Sequence, residues 1–348
     1  MSDLLHTRNI FLDTEVFVHA NFSYNSQVML EFKKLAQSGK IVFYTTHVTR
    51  KEIEGKIKDA VKEAKRGINQ IQKEGRILRN CIEPSFRNIF DFRNQETEAH
   101  LAQQLGDFFS SCLVKIISVD KVSINSVFDR YFNHKPPFSE GRKKLEFPDA
   151  FVLAALEKWC KDNEEIMYVV SNDKDHMSFC NESELLISAS KVEEVLQLAV
   201  SEDGQLRVVA DELFAKHLAD IHEAVEENFS NHSFYVEDAD GDVDDITIIR
   251  TELLERYLVS TDEDNLRFEA SFAIEYTAGV TFNDPDFTVY DKESGDTYVF
   301  ETSEKSVRSR VTIPVEVVFT LDRQNVFHSQ IDEITVSLDN AIFISVFE

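Results

Sequence analysis

In the first 200 residues, short apolar runs alternate with longer stretches that carry one apolar face. Strand-like apolar runs occupy 9–13, 41–45, 114–119, 166–171 and 185–188. The three- to four-residue periodicity of helices occupies 26–39, 47–80, 96–112, 122–133, 147–161 and 191–200, where 47–80 predicts one long helix or a helix pair. The run 166–171 is apolar almost throughout, which indicates a strand buried on both faces. Strands separated by helices predict an α/β fold, in which helices flank a parallel sheet.

The pattern changes after about residue 205. One amphipathic helix is predicted over 208–229, and from 246 onward strand-like runs are separated by turn signals such as NDPD and ESGD. Within 267–276, alternate residues are apolar, namely Phe268, Ala270, Phe272 and Ile274. This alternation predicts a mainly antiparallel β sheet or sandwich with one leading helix. We therefore predict two domains, an α/β domain at 1–204 and a smaller α+β or β-sandwich-like accessory domain at 205–348.

The charge distribution divides the chain at the same place. The formal net charge is −26, and residues 201–348 carry 34 acids and 10 bases, whereas residues 1–200 carry 29 acids and 27 bases. A polyanion is not attracted from a distance by such a chain, but a local basic groove in the N-terminal part is compatible with these counts. The acidic C-terminal part is predicted to be a poor surface for nucleic acid.

Several features predict a cytoplasmic protein without a membrane segment. Apolar runs stay below the roughly 18 residues that a membrane-spanning helix needs, and the N-terminus lacks the pattern of a secretory signal. The four cysteines have neither C-x-x-C spacing nor a histidine at zinc-site spacing, so we expect neither a disulfide scaffold nor a zinc site.

Acidic residues fall at or shortly after the ends of the predicted strands, at Asp13, Glu52, Asp149 and Asp173. Ligands of open parallel sheets bind beyond the carboxyl ends of the strands, so we expect these acids to gather there. Gathered carboxylates repel one another, and Mg²⁺ or Mn²⁺ is the type of ion that such oxygen ligands prefer. These ions activate water for attack on a phosphodiester. Each acid taken alone is equally typical of a helix cap, a turn or a solvated helix face.

The segments that carry these acids are LDTEVF, KEIEGKI, EFPDAFVLAAL and SNDKDH. In this order and spacing they resemble the PIN-domain nucleases, and the long loop before FPDA resembles the longer bacterial branch of that family. The resemblance covers about residues 8–200 and leaves the C-terminal part unassigned. It implies a metal-dependent nuclease with a PIN-like fold.

The resemblance also implies roles for individual residues. The acids that match the catalytic metal-binding positions are Asp13, Glu52, Asp149 and Asp173. Asp175 matches a frequent accessory acid, and Thr14 and Ser171 match hydroxyl positions that support the site. Glu15 departs from the family, which often has Asn or Ser there. Glu54 lies two residues from Glu52 and therefore on another helix face, and we choose Glu52 because it precedes the apolar Ile53, as the motif expects.

Basic residues near these acids are candidates for phosphate contacts. Arg142, Lys143 and Lys144 directly precede the helix that begins with FPDA, and we predict that they bind the substrate. The stretch 50–79 contains ten bases and five acids, which is also typical of a solvated helix with ion pairs. Three histidines, His47, His134 and His176, have no mutual spacing that marks a site, so a structural role is the preferred interpretation.

Together these patterns predict an endoribonuclease that depends on Mg²⁺ or Mn²⁺ and hydrolyses RNA phosphodiesters. The choice of RNA over DNA is implied only by the resemblance. Two alternatives stay open, a non-catalytic PIN-like binding or regulatory module and a structure-specific DNA nuclease. For the C-terminal domain, binding to a partner protein, self-association through an edge strand, autoinhibition of the N-terminal groove and a purely solubilising role all fit its composition.

Overall fold

A computed structural model of the chain describes residues 5–75, 94–138, 146–200, 204–262, 264–290, 297–299, 301–322, 328–338 and 341–347. The chain divides into two compact units, Met1–Glu202 and Asp203–Glu348. The first unit is an α/β structure with a parallel sheet, and the second contains an antiparallel sheet. The predicted fold class is therefore confirmed. The part of the predicted helix 47–80 that follows residue 75 lies outside the described residues.

The first unit is organised around a five-stranded parallel sheet. Its strands are β1 (Asn9–Leu12), β2 (Val42–Thr46), β3 (Lys115–Ile117), β4 (Met167–Val170) and β5 (Leu186–Ala189). Their order across the sheet is β3-β2-β1-β4-β5, so the direction of winding reverses between β1 and β4. Both strands are buried along their whole length, as their apolar sequences predict. Leu12 pairs with Val170 at the carboxyl ends of these two strands, which is where open α/β sheets bind their ligands.

Eight described helices belong to this unit, namely α1 (Thr14–His19), α2 (Gln27–Gln37), α3 (His47–Glu74), α4 (Asn94–Ser111), α5 (Ile124–Phe132), α6 (Phe147–Asn163), α7 (Lys174–Glu182) and α8 (Val192–Val200). Local sequence explains their ends. Ser26 caps α2 by accepting a hydrogen bond from the backbone of Met29, and Gly39 follows the helix with a left-handed φ of 74°. Helices α1 and α7 were not expected from the periodicity, because they are short and begin one or a few residues after a strand.

Helix α6 is fixed to the sheet by its apolar side. Leu153, Leu156 and Cys160 are fully buried in a core that also contains Phe11 of β1 and Val169 of β4. This packing explains the apolar FVLAAL sequence within the helix. It also fixes the first turn of α6, which contains Pro148 and Asp149, relative to the carboxyl ends of β1 and β4.

The second unit begins with two helices, α9 (Gly204–Lys216) and α10 (Leu218–Ser230). The prediction of one continuous helix over 208–229 is wrong in this respect, because the chain leaves helical geometry at His217, whose φ is −98° and ψ is 9°. The His217 ring packs against Phe319, and its Nδ1 lies 3.0 Å from Asp220 Oδ2. The break at this buried residue allows both helices to bury apolar side chains, including Phe214 and Phe229.

The strands of the second unit are β6 (Phe234–Val236), β7 (Gly241–Thr261), β8 (Asn265–Asn283), β9 (Thr288–Tyr290), β10 (Thr297–Val299), β11 (Thr302–Thr320), β12 (Gln330–Val336) and β13 (Ile342–Ile344). The main sheet is antiparallel and has the order β12-β11-β8-β7. Its alternate apolar residues contact the helices, since the rings of Phe214 and Phe268 are 5.0 Å apart and those of Phe229 and Tyr276 are also 5.0 Å apart. Within the described residues, helices therefore form the layer that packs on this sheet. The sequence pattern was also compatible with a second sheet in that position, as in a β sandwich.

Strand β7 forms one edge of the main sheet and is 21 residues long. Its pairing with β8 shifts register four times, between Val243 and Asp245, Ile248 and Arg250, Leu253 and Glu255, and Leu258 and Ser260. Each shift adds a residue that β8 does not match and increases the local twist of the strand. The edge is therefore long but irregular.

None of the helices in the described part of the chain is both long enough and apolar enough to cross a membrane.

Candidate active site

An open cavity of about 790 Å³ lies where the loops after β1 and β4 meet. The residues that line it include Asp13, Thr14, Glu52, Gly55, Lys56, Asp149, Asp173, Lys174 and His176. The four acids that were predicted to bind metal thus share one cavity, although they come from four separate segments of the chain. The topology explains this convergence, because each segment follows a strand or begins a helix at the carboxyl edge of the sheet.

Asp13 is the most deeply buried of these acids, with 8% of its surface exposed. It caps α1, and its Oδ1 accepts a hydrogen bond of 2.7 Å from the backbone N–H of Thr14. Its Oδ2 accepts a hydrogen bond of 2.8 Å from Ser171 Oγ. Burial raises the pKa of Asp13 above its usual value, although His176 and these two hydrogen bonds act in the opposite direction. Asp13 therefore caps a helix, and its burial disfavours the ionised form of its carboxyl group.

Glu52 reaches the cavity from the second turn of α3. Its Oε2 accepts a hydrogen bond of 3.2 Å from Thr14 Oγ1. Burial, followed by the negative charge of Asp149, raises the pKa of Glu52 to about 7. Glu54 lies outside the cavity lining and forms surface ion pairs with Arg50 and Lys51. The structure thus places Glu52, and not Glu54, beside the other acids.

Asp149 enters the cavity from the first turn of α6, and Glu146 stands immediately before that helix. Burial raises the pKa of Glu146 to about 6, and the charges of Asp149, Asp173 and Asp175 contribute in the same direction. Sequence reasoning did not include Glu146 among the site residues. Its spacing of three residues from Asp149 at the start of a helix was the signal that could have found it.

Ser171 connects the acids that follow β1 and β4. Its Oγ donates to Asp13 Oδ2 at 2.8 Å and accepts a hydrogen bond of 3.1 Å from the backbone N–H of Asp173. Asp173 caps α7, and its Oδ1 accepts a hydrogen bond of 2.6 Å from the backbone N–H of Asp175. Asp175 is not among the residues that line the cavity. The buried serine hydroxyl therefore orients Asp13 and the loop of Asp173 together.

Replacing Ser171 by alanine is expected to lower the affinity for Mn²⁺ by roughly 10- to 100-fold, the usual effect of removing a group that orients a metal ligand. Asp13 would lose a hydrogen-bond donor, and its already raised pKa would rise further. Calorimetric titration with Mn²⁺ measures the affinity. Ser178→Ala is the matched control, because Ser178 Oγ bonds only the α7 backbone at Lys174 on the surface. Equal affinities for the two variants would contradict the orienting role.

His176 lies within the acid group, where sequence reasoning had preferred a structural role. It is 3% exposed, its Nδ1 lies 3.7 Å from Asp13 Oδ2, and its Nε2 lies 3.6 Å from Asp149 Oδ1. Burial by itself lowers the pKa of His176, but Asp149, Asp13 and Asp173 outweigh burial and raise it to about 9. The imidazolium therefore neutralises part of the acid charge in the metal-free protein. Its spacing of three residues from Asp173, on one face of α7, was the available sequence signal.

The donor set suits a hard divalent cation. Within the described residues, no group of three or more His, Cys, Asp or Glu side chains is arranged to hold a metal ion as it stands. The cavity nevertheless contains carboxylate oxygens, the ligands that Mg²⁺ and Mn²⁺ prefer, and burial together with mutual repulsion raises the pKa of Asp13 and Glu52. A cation would relieve this repulsion, so we expect the acids to move closer together when it binds.

The predicted phosphate contacts divide into two groups. Arg142, Lys143 and Lys144 lie outside the described residues. On α3, Arg66 forms a surface ion pair with Glu63, and Arg50 is bound by Glu54, so these bases follow the ordinary pattern of a solvated helix.

Comparison with known proteins agrees with this geometry. Residues 10–176 match the family model of the PIN domain, and this match spans all four acids of the cavity. Residues 10–176 are therefore similar to the PIN domain family, whose members are generally nucleases and generally use divalent metal ions. No curated protein matches the chain. No solved structure matches it either.

Proposed function

We propose that this protein is an endoribonuclease that uses Mg²⁺ or Mn²⁺ to hydrolyse phosphodiester bonds of RNA. The observation that carries the proposal is the convergence of Asp13, Glu52, Asp149 and Asp173 in one cavity at the point where the sheet reverses its winding. Several carboxylates in one partly buried cavity are unfavourable without a cation, and such arrangements are typical of metal sites that act on phosphates. The match of residues 10–176 to the PIN domain family supports a nucleic-acid substrate.

In this proposal the four acids hold the cation, and each supporting residue has a defined task. A divalent cation bound there would activate a water molecule and would neutralise charge on the attacked phosphate. Ser171 and Thr14 orient Asp13 and Glu52 through their hydroxyl groups.

One observation favours a second candidate, a PIN-like module that binds nucleic acid without cleaving it. Among the described residues, no three suitable side chains already stand in metal-binding positions. Such a module would not need the acids to close around an ion. The completeness of the acid set favours the enzyme, since a module without catalysis has no use for four carboxylates in one cavity.

Incubation of the full-length protein with end-labelled single-stranded RNA and with DNA of the same sequence tests the proposal. Internal cleavage of RNA in Mn²⁺ or Mg²⁺, and none in EDTA, is the expected result. Cleavage of DNA alone would identify a DNA nuclease. Binding without cleavage in either metal would support the non-catalytic module, and cleavage that resists EDTA would overturn the metal mechanism.

A further inference from the structure

The cavity lining also contains residues that have no role in the acid site. Gly55 and Lys56 of α3 line the cavity beyond Glu52, and Lys174 lines it next to Asp173. Each of two helices thus places one cation beside one of the acids. The cavity lining also contains two histidines, His19 and His176, and its remaining ionisable residues are all acidic.

Both lysine side chains are available to a ligand. Lys56 and Lys174 are exposed, and neither ammonium group has an ion-pair partner among the described residues. Earlier on α3 the situation differs, because Arg50 and Lys51 are both bound by Glu54. The positive charges of Lys56 and Lys174 in the cavity are therefore not neutralised by an ion pair among the described residues.

Gly55 is unusual in the interior of a long helix, because glycine is less favourable than alanine there. A Cβ at this position would meet no atom within 4 Å, so packing does not require glycine. The missing side chain leaves the α3 backbone open to the cavity, one turn from Glu52. A long, flexible ligand can thus approach the helix more closely at this point than beside any other residue type.

We propose that Gly55, Lys56 and Lys174 form a seat for the sugar–phosphate backbone of a single nucleic-acid strand. Lys56 and Lys174 each contact one phosphate next to the attacked bond, and Gly55 lets the strand lie against α3. A cavity rich in carboxylates repels a polyanion, so the phosphates outside the metal site need cations of their own. The inference rests on the proposed function for the chemistry at the acids, and it adds the residues that hold the substrate.

The glycine is tested by alanine substitution at two positions of the same helix. Gly67 is the matched control, since it is also interior to α3 and also has no atom within 4 Å of a Cβ. Both Gly55→Ala and Gly67→Ala are expected to raise the unfolding temperature, because alanine favours the helix. Only Gly55→Ala is expected to weaken RNA binding, by roughly fivefold or more. Equal binding by the two variants would overturn the role of Gly55.

The lysines are tested by the salt dependence of binding. The affinity for a fluorescent single-stranded RNA in Mn²⁺ is measured with the full-length Asp149→Asn protein. It is then measured with double variants that carry Lys56→Gln, Lys174→Gln or Lys58→Gln in addition to Asp149→Asn. Lys58 lies on α3 outside the cavity lining, so Lys58→Gln controls for the loss of one charge. Each cavity variant should lower the slope of log affinity against log salt by about 0.7. Slopes equal to that of Lys58→Gln would overturn the phosphate contacts.

Cleavage by the same variants with Asp149 intact separates this inference from the proposed function. A rise in KM with little change in kcat is expected for Lys56→Gln and Lys174→Gln. If the parent protein cleaves RNA but these variants behave as Lys58→Gln, the seat is wrong and the function stands. If the parent binds RNA through these lysines but never cleaves, the function is wrong and the seat stands. Absence of RNA binding overturns the seat.

Discussion

Asp149→Asn should reduce RNA cleavage by roughly a thousandfold or more, the largest effect expected of any single substitution in this protein. Asparagine preserves the shape of the side chain but removes the charge that the bound cation requires. His176 also loses one of its two acidic partners, because its Nε2 lies 3.6 Å from Asp149 Oδ1 while its Nδ1 remains 3.7 Å from Asp13 Oδ2. The measurement is the initial rate of cleavage of labelled RNA in Mn²⁺, with circular dichroism to confirm that the variant is folded.

Asp162→Asn is the matched control for this substitution. Asp162 lies on the same helix, α6, where it forms a surface ion pair with Lys158, and such pairs contribute about 0–1 kcal/mol to stability. This variant should cleave RNA as the parent protein does. If Asp149→Asn were equally active, Asp149 would be only an acid that favours the start of a helix, and the proposed mechanism would be wrong.

The second large effect concerns stability, since the unfolding temperature of the metal-free protein should fall as pH rises from 5 to 9. The pKa of Glu52 is raised from 4.5 to about 7 in the fold, so its contribution to stability is present below pH 4.5 and is lost as pH rises through 7. The pKa of His176 is raised from 6.5 to about 9, so its contribution is present below pH 6.5 and is lost as pH rises through 9. The metal-free fold therefore loses both stabilising contributions at alkaline pH.

Mn²⁺ should reverse this trend. An ion present at 100 times its Kd stabilises the folded state by about 2.7 kcal/mol, and protons compete with it for the acids at low pH. The rise in unfolding temperature on adding Mn²⁺ should therefore be larger at pH 8.5 than at pH 5.5 in a thermal shift assay.

Two glutamates on α3 provide the comparison for this experiment. Glu52→Gln should remove much of the pH dependence below pH 7 and part of the gain from Mn²⁺. Glu54→Gln should change neither, because Glu54 pairs with Arg50 and Lys51 outside the cavity lining. A gain from Mn²⁺ that is independent of pH and survives in Glu52→Gln would rule out Glu52 as a ligand.

The centre of the parallel sheet was predictable because β1 and β4 are buried along their whole length and therefore appear as nearly uninterrupted apolar runs. Helices α1 and α7 were not predictable from periodicity, since six and nine residues give too few turns for a clear apolar stripe. Their caps, Asp13 and Asp173, are equally typical of turns in the sequence. The break between α9 and α10 was also hidden, because it depends on the packing of His217 against a strand about a hundred residues away.

The site residues that were predictable from the sequence are those that directly follow a predicted strand or lie in a recognisable motif. Acids that follow β1 and β4 must meet at one edge of the sheet, and the apolar neighbour Ile53 separated Glu52 from Glu54. His176 and Glu146 were missed because their pKa values depend on charges from other segments. Gly55 was missed for a related reason. A glycine within a helix indicates a binding surface only when the structure shows that it lines a cavity.

The register shifts of β7 have a consequence for the behaviour of the protein at high concentration. A regular edge strand of 21 residues would offer a long row of evenly spaced amide and carbonyl groups to the sheet of a neighbouring molecule. The shifts recur every five residues, so the amide and carbonyl groups of β7 are evenly spaced only between one shift and the next. A strand of a neighbouring molecule could therefore form regular hydrogen bonds with β7 only over such a short segment. The opposite edge, β12, is only 7 residues long. Edge-to-edge addition of further molecules is therefore disfavoured at β7 by the irregular spacing and at β12 by the short length of the strand.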